Sequence, residues 1–252
     1  MTTAVLSDVH ANREALEAVL ADARAQGAES FVSLGDLIGF NGDPAWCVRT
    51  LLPLLAAAVQ GNHEAVLQDR HSAGWPPLYT GMMDRTEELL GPELTQSLRD
   101  LPHRAIYGGA ELVHASFAAP ETWQRLHTPQ RARDSFAACS ADLGFFGHTH
   151  RPTVFESGPG GIRALPITYT AEGSYRLTLR PGCRYLINPG SVGQPRDGDP
   201  RAAYALYTPG AQELILRRVP YDTRRAAAKI CRTGLPDTFA RALLAGQSPT
   251  GD

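Results

Sequence analysis

The chain has 252 residues, of which 43% are hydrophobic and 20% charged, and its 24 basic and 26 acidic side chains leave a formal net charge of −2 at pH 7. A chain of this length buries about three quarters of its unfolded surface on folding, so it needs neither disulfides nor a structural metal to fold. The balanced charge argues against strong nucleic-acid binding, the 4 cysteines form no C-x-x-C pair, and no signal peptide or membrane-spanning run is visible, so we expect a cytoplasmic protein without a membrane partner.

The N-terminal part of the chain alternates between strand and helix patterns. An apolar run at 4–6 predicts a strand, and apolar side chains at helical spacing predict a helix at 12–25. The same order repeats in three segments, a strand at 30–34, a helix at 45–55 and a strand at 56–59. Strand, crossover helix and strand predict a parallel α/β core.

The rest of the chain has other patterns. Residues 64–102 are helical and irregular, which predicts an excursion over one end of the sheet, and 115–131 is typical of a polar loop. Strand-length segments split by glycine and proline at 153–218 predict a second, mostly antiparallel sheet. Helices within about 222–246 and a frayed tail at 247–252 complete a single predicted domain that spans the whole chain.

Side chains that bind metals follow nearly every predicted core strand. They are Asp8 and His10, Asp36, Asn62 and His63, His114, and His148 and His150. Because ligands bind at the carboxyl ends of strands in open α/β sheets, the five loops should converge on one place. The remaining histidines, His71, His103 and His127, need no role.

Each of these signals is modest by itself. Asp8 before a helix is often a cap, and a lone His114 is more often a hydrogen-bonded core histidine than a ligand. His148 and His150 are two residues apart at a strand end and project to the same side, which suits Zn, Mn, Fe or Ni. The joint occurrence in this order, each element at its own strand end, is what indicates a metal site.

The ordered set D-x-H, G-D, G-N-H-E, H and G-H-x-H resembles the signature of the calcineurin-like metallophosphoesterases. The motifs stand here at 8–10, 35–36, 61–64, 114 and 147–150. The run 187–193 followed by 196–200 is similar to the bacterial branch of small predicted phosphodiesterases. The resemblance covers about residues 1–207. It implies a four-layer α/β/β/α sandwich, an α/β (α+β) fold in which two mixed sheets pack face to face with helices outside.

The resemblance also implies a binuclear metal centre. The first ion would be bound by Asp8, His10, Asp36 and His150, and the second by Asp36, Asn62, His114 and His148. Mixed imidazole and carboxylate ligation favours two divalent transition-metal ions, Mn, Fe, Zn, Co or Ni, over Mg. The implied reaction is hydrolysis of a phosphodiester, with phosphomonoesters as further substrates, by attack of a hydroxide that bridges the ions.

His63 is free of an implied ligand role and would protonate the leaving alkoxide as general acid; the other interpretation is that it only hydrogen-bonds phosphate. The protein-phosphatase branch orients this histidine through an aspartate in G-D-x-x-D-R-G. Here residues 37–40 follow Asp36 and contain neither that aspartate nor the phosphate-gripping arginine. Asp43 is one candidate for the orienting group, although it can equally begin a helix.

Residues that flank the metal loops raise further expectations. Asn12, Arg13 and Arg151 are predicted substrate contacts, with a surface position as the alternative for each. Ala11 stands where relatives often have glycine, and it is small enough to keep the ligand geometry. The segment 157–184 is longer than expected; it decorates the second sheet, shapes substrate access or forms an oligomer contact.

Two other functions compete with a phosphodiesterase. A non-catalytic scaffold on the same fold would resemble the retromer subunit that lost its catalytic histidine, whereas His63 is retained here. A nuclease of the superfamily would need DNA-binding domains and a basic face, and neither is visible at a net charge of −2. The expected partner is a small phosphate ester, a nucleotide included, and its identity depends on segments 64–102 and 115–131.

Overall fold

The computed structural model describes residues 1–68 and 74–250, so His71 lies outside the described residues. The strands are β1 (Thr2–Leu6), β2 (Ala28–Ser33), β3 (Leu55–Ala58), β4 (Arg104–Tyr107), β5 (Ala110–Val113), β6 (Leu143–Phe145), β7 (Thr153–Gly158), β8 (Gly161–Leu165), β9 (Ser174–Thr178), β10 (Arg184–Asn188), β11 (Ala202–Tyr207) and β12 (Glu213–Val219). The helices are α1 (Arg13–Ala25), α2 (Pro44–Leu51), α3 (Asn62–Ala65), α4 (Pro77–Leu90), α5 (Pro92–Arg99), α6 (Pro129–Ala138), α7 (Thr223–Arg232) and α8 (Asp237–Ala245). No described helix has both the length and the apolarity needed to cross a bilayer.

The strands form two mixed sheets. The first has the order β3-β2-β1-β11-β12-β9 and the second the order β4-β5-β6-β10-β7-β8. Strands β1, β2 and β3 are parallel, as are β5, β6 and β10, and their remaining neighbours run antiparallel. The predicted sandwich of two mixed sheets with flanking helices is confirmed.

The expected assignment of strands to sheets is wrong for the C-terminal part of the chain. We expected residues 153–218 to form a second sheet, but β9, β11 and β12 extend the first one. All six residues of β11 are buried. A strand that is apolar and covered on both faces belongs in the middle of a sheet, and β11 pairs directly with β1.

The alternation of side chains along β1 shows how the layers pack. Val5 points between the sheets, where it packs with apolar side chains such as Phe145 of the second sheet. Ala4 and Leu6 point the other way, into the core under α1, α2, α4, α7 and α8. On the far side of the second sheet, Phe136 of α6 packs in a third apolar cluster. Helices, sheet, sheet and helix make the four layers.

Two segments differ from the expected pattern. The predicted polar loop at 115–131 runs into α6, whose buried positions are only Ala132, Ser135 and Phe136, too few for a clear helical period. The tail is ordered over 247–250, because the N–H of Gln247 donates to the carbonyl of Ala242 over 3.0 Å and the hydroxyls of Tyr79 and Thr250 lie 3.0 Å apart. The expectation of a frayed tail is therefore wrong for these residues.

The long segment at 157–184 adds an edge strand to each sheet. The hairpin β7–β8 borders the second sheet, and β9 borders the first. The segment thus decorates both sheets rather than the second alone.

Candidate metal centre

The loops that follow β1, β2, β3, β5 and β6 meet where both sheets end. Their ligand atoms form two groups, each within 4.8 Å: Asp8, His10, Asp36 and His150, and Asp36, His114 and His148. Asp36 belongs to both groups, and Oδ1 of Asn62 lies 3.1 Å from Nε2 of His114. The structure therefore brings together every side chain for which the resemblance implies a metal-binding role.

The backbone is left-handed at most of these ligands. The φ angles are +53° at Asp8, +46° at His10, +55° at Asp36, +65° at His148 and +58° at His150. Such a conformation costs a non-glycine residue about 1–3 kcal/mol and persists only where the surroundings enforce it. Hydrogen bonds between loops do so, since the N–H of Asp8 donates to Gly35 over 3.1 Å and that of His10 to Asp36 over 2.9 Å.

Backbone carbonyls fix the orientation of three imidazoles. Nδ1 of His10 lies 2.8 Å from the carbonyl oxygen of Ile38. Nδ1 of His114 lies 2.7 Å from that of Leu34, and Nδ1 of His150 lies 2.6 Å from that of Gln194. A ring nitrogen that faces a carbonyl carries a proton, which aims Nε2 into the cluster and leaves it as a bare lone pair whenever the ring is neutral. The arrangement prepares these rings to bind a metal through Nε2.

The distances between donor atoms that face one another indicate whether the residues fit metal ions. Nε2 of His10 lies 3.2 Å from Nε2 of His150, and both rings are oriented with this nitrogen unprotonated. Oδ1 of the fully buried Asp8 accepts no hydrogen bond among the described residues and lies 3.2 Å from Nε2 of His150. Electron pairs held this close repel unless cations lie between them. The nitrogen and oxygen donors therefore fit divalent transition metals.

Burial and the shared carboxylate set the protonation of the metal-free cluster. Burial lowers the pKa values of His10, His148 and His150 well below the usual range, so these rings are neutral. Burial, followed by the charge of Asp36, raises the pKa of Asp8 to about 6. Burial also disfavours the charged form of His114, but the charge and hydrogen bond of Asp36 outweigh it and raise its pKa to about 9. Cation binding at this site would displace the proton of His114.

Glu64 ties two of the loops together, a role that we did not predict. Its carboxylate accepts hydrogen bonds from the backbone N–H groups of Asp36 (2.8 Å), Leu37 (2.8 Å) and Gly61 (2.9 Å), and it is fully buried. Burial and the charge of Asp36 raise the pKa of Glu64 to about 7. The spacing from Gly61 to Glu64 is that of a capping box, a signal in the sequence that could have revealed this contact.

Gly61 is required by the close approach of Asp36. A Cβ at this position would clash with Oδ1 of Asp36 and lie 2.5 Å from its backbone nitrogen. Oδ1 of Asp36 also accepts a hydrogen bond of 2.9 Å from the N–H of His63. The shared carboxylate therefore sits directly on the backbone of the G-N-H-E loop.

His63 lies beside the cluster and lines a cavity. Its ring centroid is 4.6 Å from that of His10, 4.9 Å from that of Phe40 and 5.0 Å from that of Trp75. Its Nδ1 is buried without a partner among the described residues. A Cβ on Gly39 would clash with that nitrogen and lie 2.8 Å from Cε1. Ring packing surrounds His63, and its Nε2 lies 3.9 Å from Oδ2 of Asp36.

Asp43 is not the orienting group of His63, and this corrects one expectation. The carboxylate of Asp43 accepts a 2.5 Å hydrogen bond from Lys229 instead.

Burial, opposed by the charge of Asp36, lowers the pKa of His63 to about 4, so its ring is neutral in the metal-free protein at pH 7.

The predicted substrate contacts Asn12 and Arg13 lie outside the lining of the cavity. Asn12 is buried; its Oδ1 caps α1 by accepting from the N–H of Ala15 over 3.1 Å, and its Nδ2 donates to the carbonyl of Gly193 over 2.9 Å. Arg13 pairs with Glu17 and lies 4.6 Å over the ring of Trp46. Neither lines the cavity at the cluster, and among the described residues Arg151 does not line it either. Asn12 and Arg13 thus make hydrogen bonds and packing contacts within the protein.

The cavity beside the cluster has a volume of about 340 Å³. Its lining comprises the site residues Asp36, Asn62, His63, His148 and His150, the aromatic side chains Phe40, Trp75, Tyr79 and Trp123, together with Pro76, Arg125 and Arg196, and Ser248 and Thr250 of the tail. Metal ligands thus form one wall, and aromatic and basic side chains form the others.

Comparison with known proteins agrees with this geometry. Residues 1–211 match the model of the calcineurin-like phosphoesterase superfamily domain. The chain belongs to this superfamily. An uncharacterized protein of Methanocaldococcus jannaschii is 34% identical over 249 residues, which cover 97% of this chain and 98% of that protein.

Solved structures share the fold. The crystal structure of a metallophosphoesterase from Sphaerobacter thermophilus matches with a TM-score of 0.86 and 36% identity, and covers 98% of this chain and 99% of that one. A hypothetical protein from Pyrococcus horikoshii OT3 matches with a TM-score of 0.74 at 19% identity, over 98% and 99% of the two chains, and shows the fold alone. Superfamily members are phosphoesterases that use divalent metals, and the Asp and His clusters of this chain can hold such ions.

Proposed function

We propose that this protein hydrolyses small phosphodiesters, and phosphomonoesters as further substrates, at a centre of two divalent metal ions. The observation that carries the proposal is the position of Asp36 in both ligand groups, on the wall of a cavity that can admit a substrate. The first ion would be held by Asp8, His10, Asp36 and His150, and the second by Asp36, Asn62, His114 and His148. The donor set favours Mn, Fe, Zn, Co or Ni.

Bound there, two such ions supply hydroxide at neutral pH and stabilise the charge that develops on the phosphoryl oxygens. The protein residues fix the geometry. Carbonyls hold the imidazoles, Glu64 joins the loops that carry Asp36 and Asn62, and the burial of the cluster limits access of bulk water. Attack of hydroxide on phosphorus breaks the ester bond and leaves an alkoxide that needs a proton.

His63 is the residue proposed to supply that proton. It lines the cavity without an implied ligand role, and its backbone N–H is bound to the shared Asp36. Its ring is neutral in the empty cavity, because its pKa is lowered to about 4, chiefly by burial. An anionic phosphate beside the ring favours the protonated form, which is the form that a general acid requires.

The cavity suits a small substrate with an aromatic part, such as a nucleotide. Its volume of about 340 Å³ lies at the low end of the range of small-molecule sites, which is about 300–1,000 Å³. Trp75, Tyr79 and Trp123 offer faces for stacking, as aromatic side chains do for bases. A cytoplasmic location is part of the proposal, since all four cysteines are free thiols.

A substrate screen tests the proposal. Protein reconstituted with each metal is assayed on cyclic nucleotides, dinucleotides, aryl diesters and the matching monoesters, with Asp36→Asn as control. We expect metal-dependent diester hydrolysis that the control lacks. If protein with two bound ions hydrolyses none of these esters, the non-catalytic scaffold is the better account.

A leaving-group series tests His63. General acid catalysis contributes about 10²–10⁴-fold, and the benefit falls as the leaving group becomes a better anion. His63→Ala should therefore slow an alkyl or nucleoside ester strongly and a nitrophenyl ester much less, at equal metal content. An equal slowing of all esters would mean that His63 only positions phosphate.

A further inference from the structure

Arg196 is a buried cation on the wall of the cavity. It is only 8% exposed, and it lines the cavity together with His148 and His150. Its Nε has no hydrogen-bond partner among the described residues, and within 1–68 and 74–250 no carboxylate forms an ion pair with its guanidinium. Burying an unpaired charge is costly, so this side chain calls for an explanation.

The loop that carries Arg196 is held firmly on both sides. The N–H of Arg196 donates to the carbonyl of His150 over 3.2 Å. The next residue, Asp197, pairs with Arg218, which is 2% exposed and also donates to the carbonyl of Arg201 over 3.1 Å. The backbone of Arg196 is therefore fixed relative to a proposed metal ligand.

Phe40 places Arg196 and His63 on the same cavity. The guanidinium carbon of Arg196 lies 5.4 Å from the centroid of the Phe40 ring, and the ring of His63 lies 4.9 Å from that centroid. Contact with an aromatic face orients the planar guanidinium but leaves its N–H groups free to bind an anion. Residues 37–40, which follow Asp36, contain no arginine, and Arg125 and Arg196 are the arginines among the described residues that line the cavity.

We propose that Arg196 binds the non-bridging oxygens of the substrate phosphoryl group and so determines the affinity of the centre for phosphate. This inference rests on the proposed function, because it assigns the cavity to a phosphate ester. A guanidinium can donate two parallel hydrogen bonds to an oxyanion. The bound anion would supply Arg196 with a counter-charge that no ion pair within 1–68 and 74–250 supplies.

A structural role for Arg196 is the competing explanation. In that case its contact with Phe40 would stabilise the loop, and its removal would lower the melting temperature without changing phosphate affinity. If Arg196 serves phosphate instead, its removal takes away an unpaired buried charge, and the metal-loaded protein should melt at the same temperature or higher.

The experiment measures the binding of inorganic phosphate to the metal-loaded protein by calorimetry. The variants are Arg196→Met, Arg196→Lys and Arg13→Gln; the last removes the same charge from a side chain outside the cavity. We expect Arg196→Met to weaken phosphate about 10- to 100-fold, as for lost charge-assisted hydrogen bonds. Arg196→Lys should fall between it and the wild type, and Arg13→Gln should match the wild type. Metal content and melting temperature are measured on the same samples.

The outcomes separate this inference from the proposed function. Equal phosphate affinity of Arg196→Met and wild type overturns it, as does a wild type that binds no phosphate. If Arg196→Met does not fold, Arg196→Lys decides alone. A phosphate affinity equal to that of the wild type in this variant overturns the proposed pair of hydrogen bonds from the guanidinium. Loss of phosphate affinity in a protein that hydrolyses no ester would keep the anion site and remove only the proposed reaction.

Discussion

Two buried carboxylates, Glu156 in β7 and Asp8 in the metal cluster, show how differently two regions of the molecule are built. Glu156 of β7 accepts hydrogen bonds from Arg163, Arg180 and Tyr185. These bonds, chiefly that from Arg180, lower the pKa of Glu156 to about 2. One oxygen of Asp8 accepts no hydrogen bond from the described part of the chain, and burial raises the pKa of Asp8 to about 6. Protein groups stabilise the charge of Glu156, whereas metal ions are proposed to stabilise the charge of Asp8.

The backbone repeats this contrast. Within 1–68 and 74–250, six of the nine non-glycine residues with positive φ lie in the metal loops, Asp8, His10, Ala11, Asp36, His148 and His150. Between 153 and 188 only glycines adopt positive φ. Strain and unpaired charge thus collect where chemistry is proposed, and the rest of the fold compensates for them.

The largest effect is expected at Asp36. Asp36→Asn weakens both ions, whereas Asn62→Ala removes one neutral oxygen from one ion. Since the metal pair contributes several kcal/mol, Asp36→Asn should lower hydrolysis by about 10³-fold or more, and Asn62→Ala should lower it much less. Activity and metal content are measured for both. Similar losses with intact metal content would contradict the shared position of Asp36.

Gly39→Ala should come next. The new Cβ clashes with Nδ1 of His63, and the φ of +88° disfavours any side chain. We expect hydrolysis of alkyl esters to fall by up to the about 10²–10⁴-fold of general acid catalysis, with both metals retained. Gly160→Ala, in the β7–β8 turn with nothing within 4 Å, is the matched control. Unchanged turnover in Gly39→Ala would show that the position of His63 is not critical.

Glu156→Gln tests how much the buried carboxylate in β7 contributes to stability. The folded pKa of about 2 lies below the ordinary 4.5, so the carboxylate stabilises the fold above pH 4.5, and this contribution is lost as the pH falls toward 2. The variant should be less stable than wild type at pH 7, by on the order of 1 kcal/mol because the arginines are half exposed, and the gap should close in acid. Urea unfolding between pH 2 and pH 7 measures it, and a gap independent of pH would show that the charge is irrelevant.

The smallest effect is expected at Ala11. Its φ of +54° is left-handed, so Ala11→Gly relieves strain but adds freedom to the unfolded chain. The two effects nearly cancel, and the melting temperature should stay the same or rise slightly at full activity. Ala11→Val, with a branched side chain, should melt lower. A clear loss of stability in the glycine variant would mean that the methyl group packs favourably.

Local spacing explains which features could be predicted from the sequence. Asp8, Asp36 and His114 each follow a strand, and parallel strands end at one edge, so their convergence could be predicted. That Asn12 caps a helix follows from the same local pattern, but its hydrogen bonds to Ala15 and Gly193 leave nothing for substrate.

Contacts between distant segments could not be predicted. The pairing of β11 with β1 depends on which sheet buries an apolar strand on both faces. The surroundings of Arg196 depend on where Phe40, His150 and the tail lie. No pattern within 187–200 shows that Arg196 forms no ion pair with the described residues.

Metal titration of the metal-free protein tests the central claim most directly. Manganese or zinc is added stepwise, and bound ions per chain and diester hydrolysis are measured on the same samples. The account predicts two ions per chain, with hydrolysis that appears as the second ion binds. Full hydrolysis at one bound ion per chain would contradict it.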